Sequence, residues 1–169
     1  MNYKSYLNDK NPQVLIKVKN IGEMKLELFP SVAPITVKNF LDLVEQNFYK
    51  GIIFHRVIKG FMIQGGDPTG TGMGGSKNKI KGEFSSNGVK NDLSHERGVI
   101  SMARTQIPDS ASSQFFIMHE DGEFLDGDYA AFGVVIEGIN TVDEIASVKT
   151  DRYDKPLTDC VIESITRIR

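Results

Sequence analysis

Phe54-His55-Arg56-Val57-Ile58-Lys59-Gly60-Phe61-Met62-Ile63-Gln64-Gly65-Gly66-Asp67 holds two short apolar runs parted by Lys59-Gly60 and closed by a glycine pair. Runs of four to seven residues bounded by Gly or polar turn residues are a strand signature. The pattern recurs outward from this stretch, at Val99 to Ala103, Phe115 to Met118 and Ala131 to Ile136, and the chain closes on a strand-like Cys160 to Ile168. Upstream, Val14, Ile16 and Val18 alternate with Leu15, Lys17 and Lys19; Asn20-Ile21-Gly22 supplies turn chemistry, and Met24, Leu26 and Leu28 alternate with Lys25 and Glu27. This predicts a hairpin with one wet face. Two helices interrupt the strands. Pro34 stands at a first helical turn before Val37, Phe40, Leu41, Val44 and Phe48, an apolar stripe at helical spacing. A second helix is expected after Asn140, with that residue as its cap and Asp143 and Glu144 near its positive end. The fold class is mainly β, an antiparallel barrel or sandwich, in a single domain over 1–169 with residues 1–12 as a polar extension.

Composition removes other classes. Twenty Lys plus Arg against 22 Asp plus Glu leave a net charge of −2, which gives no reason to expect nucleic acid. No stretch approaches the roughly 18 apolar residues of a membrane span, and the polar start lacks the apolar segment of a leader, so a cytoplasmic setting is expected. Cys160 is the single cysteine, which excludes an intramolecular disulfide and reads as core packing. Ten Phe and five Tyr stand beside no Trp. Nine of the 16 glycines fall between Gly60 and Gly88, which predicts a surface loop with a functional part.

Several motifs are weaker than they look. Gly70-Thr71-Gly72-Met73-Gly74-Gly75 matches a dinucleotide fingerprint literally, yet no helical stripe follows to supply a dipole for phosphate. Lys77, Lys79 and Lys81 lack interleaved aromatics and read as a solvated loop. His55, His95 and His119 have no zinc spacing, and Ser112, Ser113 and His119 have neither a nucleophile elbow nor an orienting carboxylate. What remains is apolar rings, amides and one cation. Arg56 and Gln64 stand out because in a half-buried strand both need partners.

At these residues the chain resembles the cyclophilins, peptidyl-prolyl cis-trans isomerases. The blocks are the opening stretch, Ser101-Met102-Ala103-Arg104 and Ser113-Gln114-Phe115-Phe116-Ile117, and the resemblance runs from about Val14 to Ile168. It implies a closed eight-stranded antiparallel barrel capped by two helices, with an apolar groove on one outer face. It puts the catalytic arginine on Arg56, the proline pocket on Phe61, Met62, Phe116 and Leu125, and the hydrogen-bonding amide on Gln64. Ala103, Arg104 and Gln114 correspond to the wall that holds the residues before proline, and the Gly70 to Gly75 loop borders the neighbouring pocket. Phe124 stands where many eukaryotic members carry Trp and Tyr129 where they carry His, a combination similar to bacterial cytosolic members. That implies turnover of proline-containing polypeptides with reduced affinity for cyclosporin. Isomerisation needs no nucleophile, metal or cofactor, which accounts for the missing motifs. The rival reading is a proline-binding module or chaperone using the same groove; an intact Arg56 favours the enzyme, since binding alone does not require it.

Overall fold

The computed structural model describes residues 1–169. Its elements are β1 (Gln13–Val18), β2 (Gly22–Leu28), α1 (Pro34–Glu45), β3 (Arg56–Ile58), β4 (Met62–Gly65), β5 (Val99–Met102), β6 (Phe115–Met118), β7 (Ala131–Glu137), α2 (Ile139–Ala146) and β8 (Ile162–Arg167). All strand pairs are antiparallel, in the order β3-β4-β6-β5-β7-β2-β1-β8. The expectation of a closed barrel needs correction, because β3 and β8 end the ladder and do not pair with each other, which leaves the sheet an open half-barrel. The apolar run Ile52 to Ile58, which overlaps the start of the quoted stretch, splits between two partners. Its second half pairs with β4, while its first half crosses to the start of β8 and the residues just before it, where Phe54 N–H donates to the Cys160 carbonyl (3.0 Å) and Gly51 N–H to that of Ile162 (2.8 Å). One isolated bridge, Ile53 to Val161, spans the seam.

The curled sheet wraps one cluster of 42 buried apolar residues. Alternation along β1 and β2 sends Val14, Ile16, Val18, Met24, Leu26 and Leu28 inside. The excess of Phe is spent here. Phe40 from α1 meets Phe115 edge-on (5.8 Å, 86°) and Phe132 at 5.4 Å, and Phe115 meets Tyr49 edge-on at 5.4 Å. Cys160 is buried, as expected, but it lies two residues ahead of β8 rather than on the strand.

Each helix departs from expectation at one end, α1 at its C-terminus and α2 at its N-terminal cap. α1 starts on Pro34 and buries Val37, Phe40, Leu41 and Val44, but it stops at Glu45, leaving Phe48 outside it and half-buried. No side chain at the Ala33 cap serves its free N–H groups. The buried Glu83 carboxylate does so from a distant loop, accepting from Thr36 N–H (2.6 Å) and Thr36 Oγ1 (2.7 Å). In α2 the cap position is Gly138, with φ 85°, and Asn140 lies inside the helix. The chain turns so sharply out of β7 that a Cβ on Gly138 would sit 2.3 Å from the Glu23 carbonyl oxygen. Asp143 therefore falls beyond the first turn, where Arg97 grips it with two bonds (2.6 and 2.8 Å) and His119 Nε2 lies 3.1 Å away.

The hairpin's wet face is covered at Glu27, which is buried. Residues 1–12 lie across it rather than trailing into solvent. Asn8 N–H (3.0 Å), Asn11 Nδ2 (3.0 Å), Gln13 Nε2 (3.0 Å) and the Arg169 guanidinium (3.2 Å) all donate to its carboxylate. The segment is pinned further by the Met1 ammonium on Asp92 and Ser94, by Tyr6 hydroxyl on Asp92, and by the Tyr6 ring against Phe29 at 5.7 Å. Burial alone raises the Glu27 pKa, but the donors from Asn11, Gln13 and Asn8 and the Arg169 charge outweigh it and hold it below the usual value. A depressed carboxyl lends stability that is present above its ordinary pKa and lost as acid protonates it. Glu27→Ala is expected to cost about 2–3 kcal/mol, a fall in Tm of about 4–10 °C by calorimetry, with the deficit at pH 7 shrinking as the pH drops below about 4.

Candidate active site

Cross-strand register assembles the site. Arg56 on β3 pairs with Gln64 on β4, Gln64 pairs with Phe116 on β6, and Phe116 pairs with Ser101 on β5. Directly paired residues project from the same face of a sheet, so these four side chains form one row across four strands. Strand alternation separates the two adjacent phenylalanines: Phe115 enters the core and Phe116 faces the opposite side.

Beside the row opens a cavity of about 140 Å³ lined by Arg56, Phe61, Met62, Gln64, Ala103, Arg104, Phe116, Leu125 and Tyr129. Nine of the eleven residues singled out from the sequence therefore meet in one place. Met62, Phe116 and Leu125 are buried beneath it and Phe61 is half-buried at its side. Gln114 and Phe124 stand outside the lining. Phe124 is 72% exposed and leans on Phe61 at 5.5 Å, at the outer edge. Gln114 lines the neighbouring cavity of about 280 Å³, together with Gln64, Ala103 and Arg104.

The amides form a directed chain. Arg56 donates to Gln64 Oε1 at a long 3.5 Å, Gln64 Nε2 donates to Gln114 Oε1 at 2.9 Å, and Gln114 Nε2 donates to the carbonyls of Gly72 (3.0 Å) and Gly74 (2.8 Å). Arg56 is exposed and most of its donors are unclaimed, whereas both N–H groups of Gln114 are spent. Arg104, also read as groove wall, is spent as well. Its guanidinium donates to the Asp128 carbonyl (2.7 and 3.1 Å) and to Thr105 (2.9 Å), and lies between the rings of Phe84 (4.6 Å) and Tyr129 (4.8 Å). It builds the wall by holding Tyr129, whose ring stands edge-on to Phe116 at 5.7 Å.

The glycine loop ends this chain and depends on Asp67, a residue inside the quoted stretch that carried no assigned role. Its buried carboxylate accepts from the N–H groups of Thr69 (2.8 Å), Thr71 (3.1 Å), Gly72 (2.7 Å) and Gly74 (3.1 Å). The backbone donors that a phosphate would need are thus already bound to a side chain, which is the physical reason the fingerprint is not a nucleotide cradle. Gly74 approaches Asp67 so closely that a Cβ would lie 2.3 Å from Oδ1. Burial by itself raises the Asp67 pKa, but the bonds from Thr69, Gly74 and Gly72 overcome it and bring it down to about 2.

A second support lies beneath Phe116 and carries no signal in the sequence, where His95 has no motif around it. The His95 ring stacks on Phe116 (6.0 Å, 16°), with Nδ1 2.8 Å from Asp126 Oδ1 and Nε2 2.9 Å from Ser101 Oγ. A carboxylate only accepts, so the proton sits on Nδ1 and Nε2 accepts from Ser101. Burial pushes the His95 pKa down against the opposing pull of Asp126, which keeps this neutral form at pH 7. Asp126 follows the short 3₁₀ turn Glu123–Leu125, so the pocket floor and its Leu125 wall are tied to one ring. The other candidates are structural: Ser113 Oγ donates to Gly66 (2.7 Å), and His119 Nδ1 accepts from Gly60 N–H (2.9 Å).

The model of the cyclophilin type peptidyl-prolyl cis-trans isomerase family matches residues 13–167. A peptidyl-prolyl cis-trans isomerase of Acinetobacter baylyi is 48% identical over 79% of this chain and 72% of its own, and peptidyl-prolyl cis-trans isomerase B of Escherichia coli is 44% identical over 87% and 94%. A crystal structure of a Cryptosporidium parvum cyclophilin type isomerase superposes with a TM-score of 0.85 at 37% identity, covering 94% of this chain and 98% of that one. The same protein has been solved in the presence of the dipeptide Ala-Pro.

Asp67→Ala is expected to cost about 2–3 kcal/mol by orphaning the loop N–H groups, and to raise amide hydrogen exchange at Thr71, Gly72 and Gly74 well above that of the strands. In the native protein the same amides are expected to stay protected down to about pH 3 and to open only as the pH nears the Asp67 pKa of about 2.

Proposed function

The chain belongs to the cyclophilin-type peptidyl-prolyl cis-trans isomerases, and we propose that it turns X-Pro bonds of polypeptides in the 140 Å³ pocket with Arg56 as the catalytic residue. The observation that carries this reading is one exposed guanidinium with spare donors at the mouth of an apolar pocket. Rotation about an amide meets a barrier of about 18–20 kcal/mol because resonance is lost at the twisted state. Exchange at X-Pro takes tens to hundreds of seconds, although both isomers are populated. In the twisted state the prolyl nitrogen recovers a lone pair. A guanidinium that donates to that nitrogen, or to the adjoining carbonyl, binds the twisted form better than either planar one. It does so without changing its own charge.

Phe61, Met62, Phe116 and Leu125 hold the pyrrolidine ring still in this scheme. Gln64 has one N–H committed to Gln114 and the other available for the substrate carbonyl, so its aim is set before substrate arrives. Ala103 flanks the residues before proline, while Arg104 and Gln114 act by shaping the wall. A rate enhancement of about 10⁵ requires about 7 kcal/mol of differential binding, within reach of one well-placed charged donor and an ordered pocket.

The whole of 1–169 reads as one isomerase unit, since residues 1–12 are bonded to Glu27 and Asp92. No helix is long and apolar enough to cross a membrane, and the thiol of Cys160 is buried with its pKa pushed up by that burial. Cyclosporin is expected to bind weakly: Phe124 lacks an indole N–H and offers less area at the pocket edge, where it is 72% exposed.

Arg56→Ala is expected to lower kcat/KM at least tenfold with the fold intact, read as proline-isomer exchange of a short peptide by NMR. Unchanged exchange in the folded variant sinks the arginine role. Phe124→Trp is expected to raise cyclosporin affinity severalfold by titration calorimetry while leaving peptide exchange within about twofold.

A further inference from the structure

A separate depression, of about 430 Å³, opens on the other side of Arg56 and Gln64. Its far wall is the loop Asp151 to Lys155. That loop is built to stay put. Asp151 Oδ1 accepts from Tyr153 N–H (2.8 Å) and Lys155 N–H (3.1 Å), Asp154 holds a φ of 65°, and the Asp154 carbonyl accepts from Val57 N–H in β3 at 2.7 Å. Lys155 contributes only its backbone to these bonds, and its ammonium pairs with no carboxylate.

The near wall carries His55, which is 7% exposed. Its Nδ1 is buried without any partner, while a Cβ on the facing Gly72 would lie 3.6 Å from Nε2. A buried N–H with no acceptor is costlier and rarer than an unfilled lone pair, so the proton belongs on Nε2, on the Gly72 side. The cleft thus faces a ligand with the donors of Arg56, Lys155 and His55 Nε2, and its one carboxylate, Asp151, is engaged in its own loop. Thr71, Tyr153 and Gln64 can both donate and accept, so the charged groups decide, and they favour a ligand group that accepts and carries negative charge.

We infer that this cleft is a specificity subsite of the isomerase and takes an acidic side chain on the residue that follows proline. The inference rests on the isomerase reading above. The residues before proline are assigned to Ala103 and Arg104, which line the proline pocket but not this cleft, so the chain after proline leaves past Arg56. Lys155 is the residue that sets the preference, because its side chain is exposed and free to swing over the cleft.

The test is proline-isomer exchange on capped peptides Ala-Ala-Pro-Xaa-Ala with Xaa as Glu, Gln or Lys, at low and high salt. The Glu peptide is expected to exceed the Lys peptide in kcat/KM by about three- to fivefold at 50 mM salt, with the ratio shrinking toward one at 0.5 M. In Lys155→Glu the order is expected to reverse. Equal rates for Glu and Lys, a ratio untouched by Lys155→Glu, or an acidic preference confined to the position before proline would each overturn the subsite. No catalysed exchange of the neutral Gln peptide would instead overturn the isomerase reading itself, so the two failures are distinguishable.

Discussion

Everything at the site hangs on one register. Arg56, Gln64, Phe116 and Ser101 come from four strands scattered over the chain, and only their pairing opposite one another puts cation, amide, pocket floor and supporting hydroxyl in a single row. Because side chains alternate with a period of two, a slip of one residue in β6 would exchange Phe116 for Phe115. It would turn the core's central ring outward and bury the pocket floor. Core packing around Phe40, Phe115 and Phe132 therefore protects the register that the site needs.

Two carboxylates complete that row without touching the cavity. Asp67 gathers the N–H groups of the glycine loop, the loop's carbonyls hold Gln114, and Gln114 aims Gln64 at the space beside Arg56. Asp126 fixes the tautomer of His95, which lies flat under Phe116. Each device replaces a mobile polar group by one with a single arrangement. For a reaction whose only demand is to hold one side of a bond while the other turns, such order is the catalytic resource. The glycines serve close approach here, and the N–H groups that resemble a phosphate site are already saturated.

Buried acids recur for a related reason at the sheet's other side and at α1. Glu27 gathers the donors of Asn8, Asn11, Gln13 and Arg169, and Glu83 serves the free N–H groups at the start of α1, so each is reached by groups far away in the chain. Alternation placed Glu27 on a wet face, and periodicity sees only a residue's side of its own strand. That residues 1–12 return to cover that face is a tertiary fact.

Legible in the sequence were the strands with strong alternation or sharp glycine boundaries, the Pro34 start of α1, and the residue types of the site, since these follow from local sterics and from the need of each apolar side chain for cover. The blocks around Arg56, Gln64 and Phe116 also carried the family. Cap and edge positions were not legible: Asn140 lost to Gly138 because the turn out of β7 leaves no room for a Cβ, and Ile52 to Ile58 divided between two partners instead of closing the sheet. Nor were the supports His95 and Asp67, the spent state of Arg104 and Gln114, or the nearness of the 151–155 loop to Arg56. Local sequence determines what each residue can bond to. Which of its possible partners it meets is decided by register and chain return, because those contacts join residues tens of positions apart.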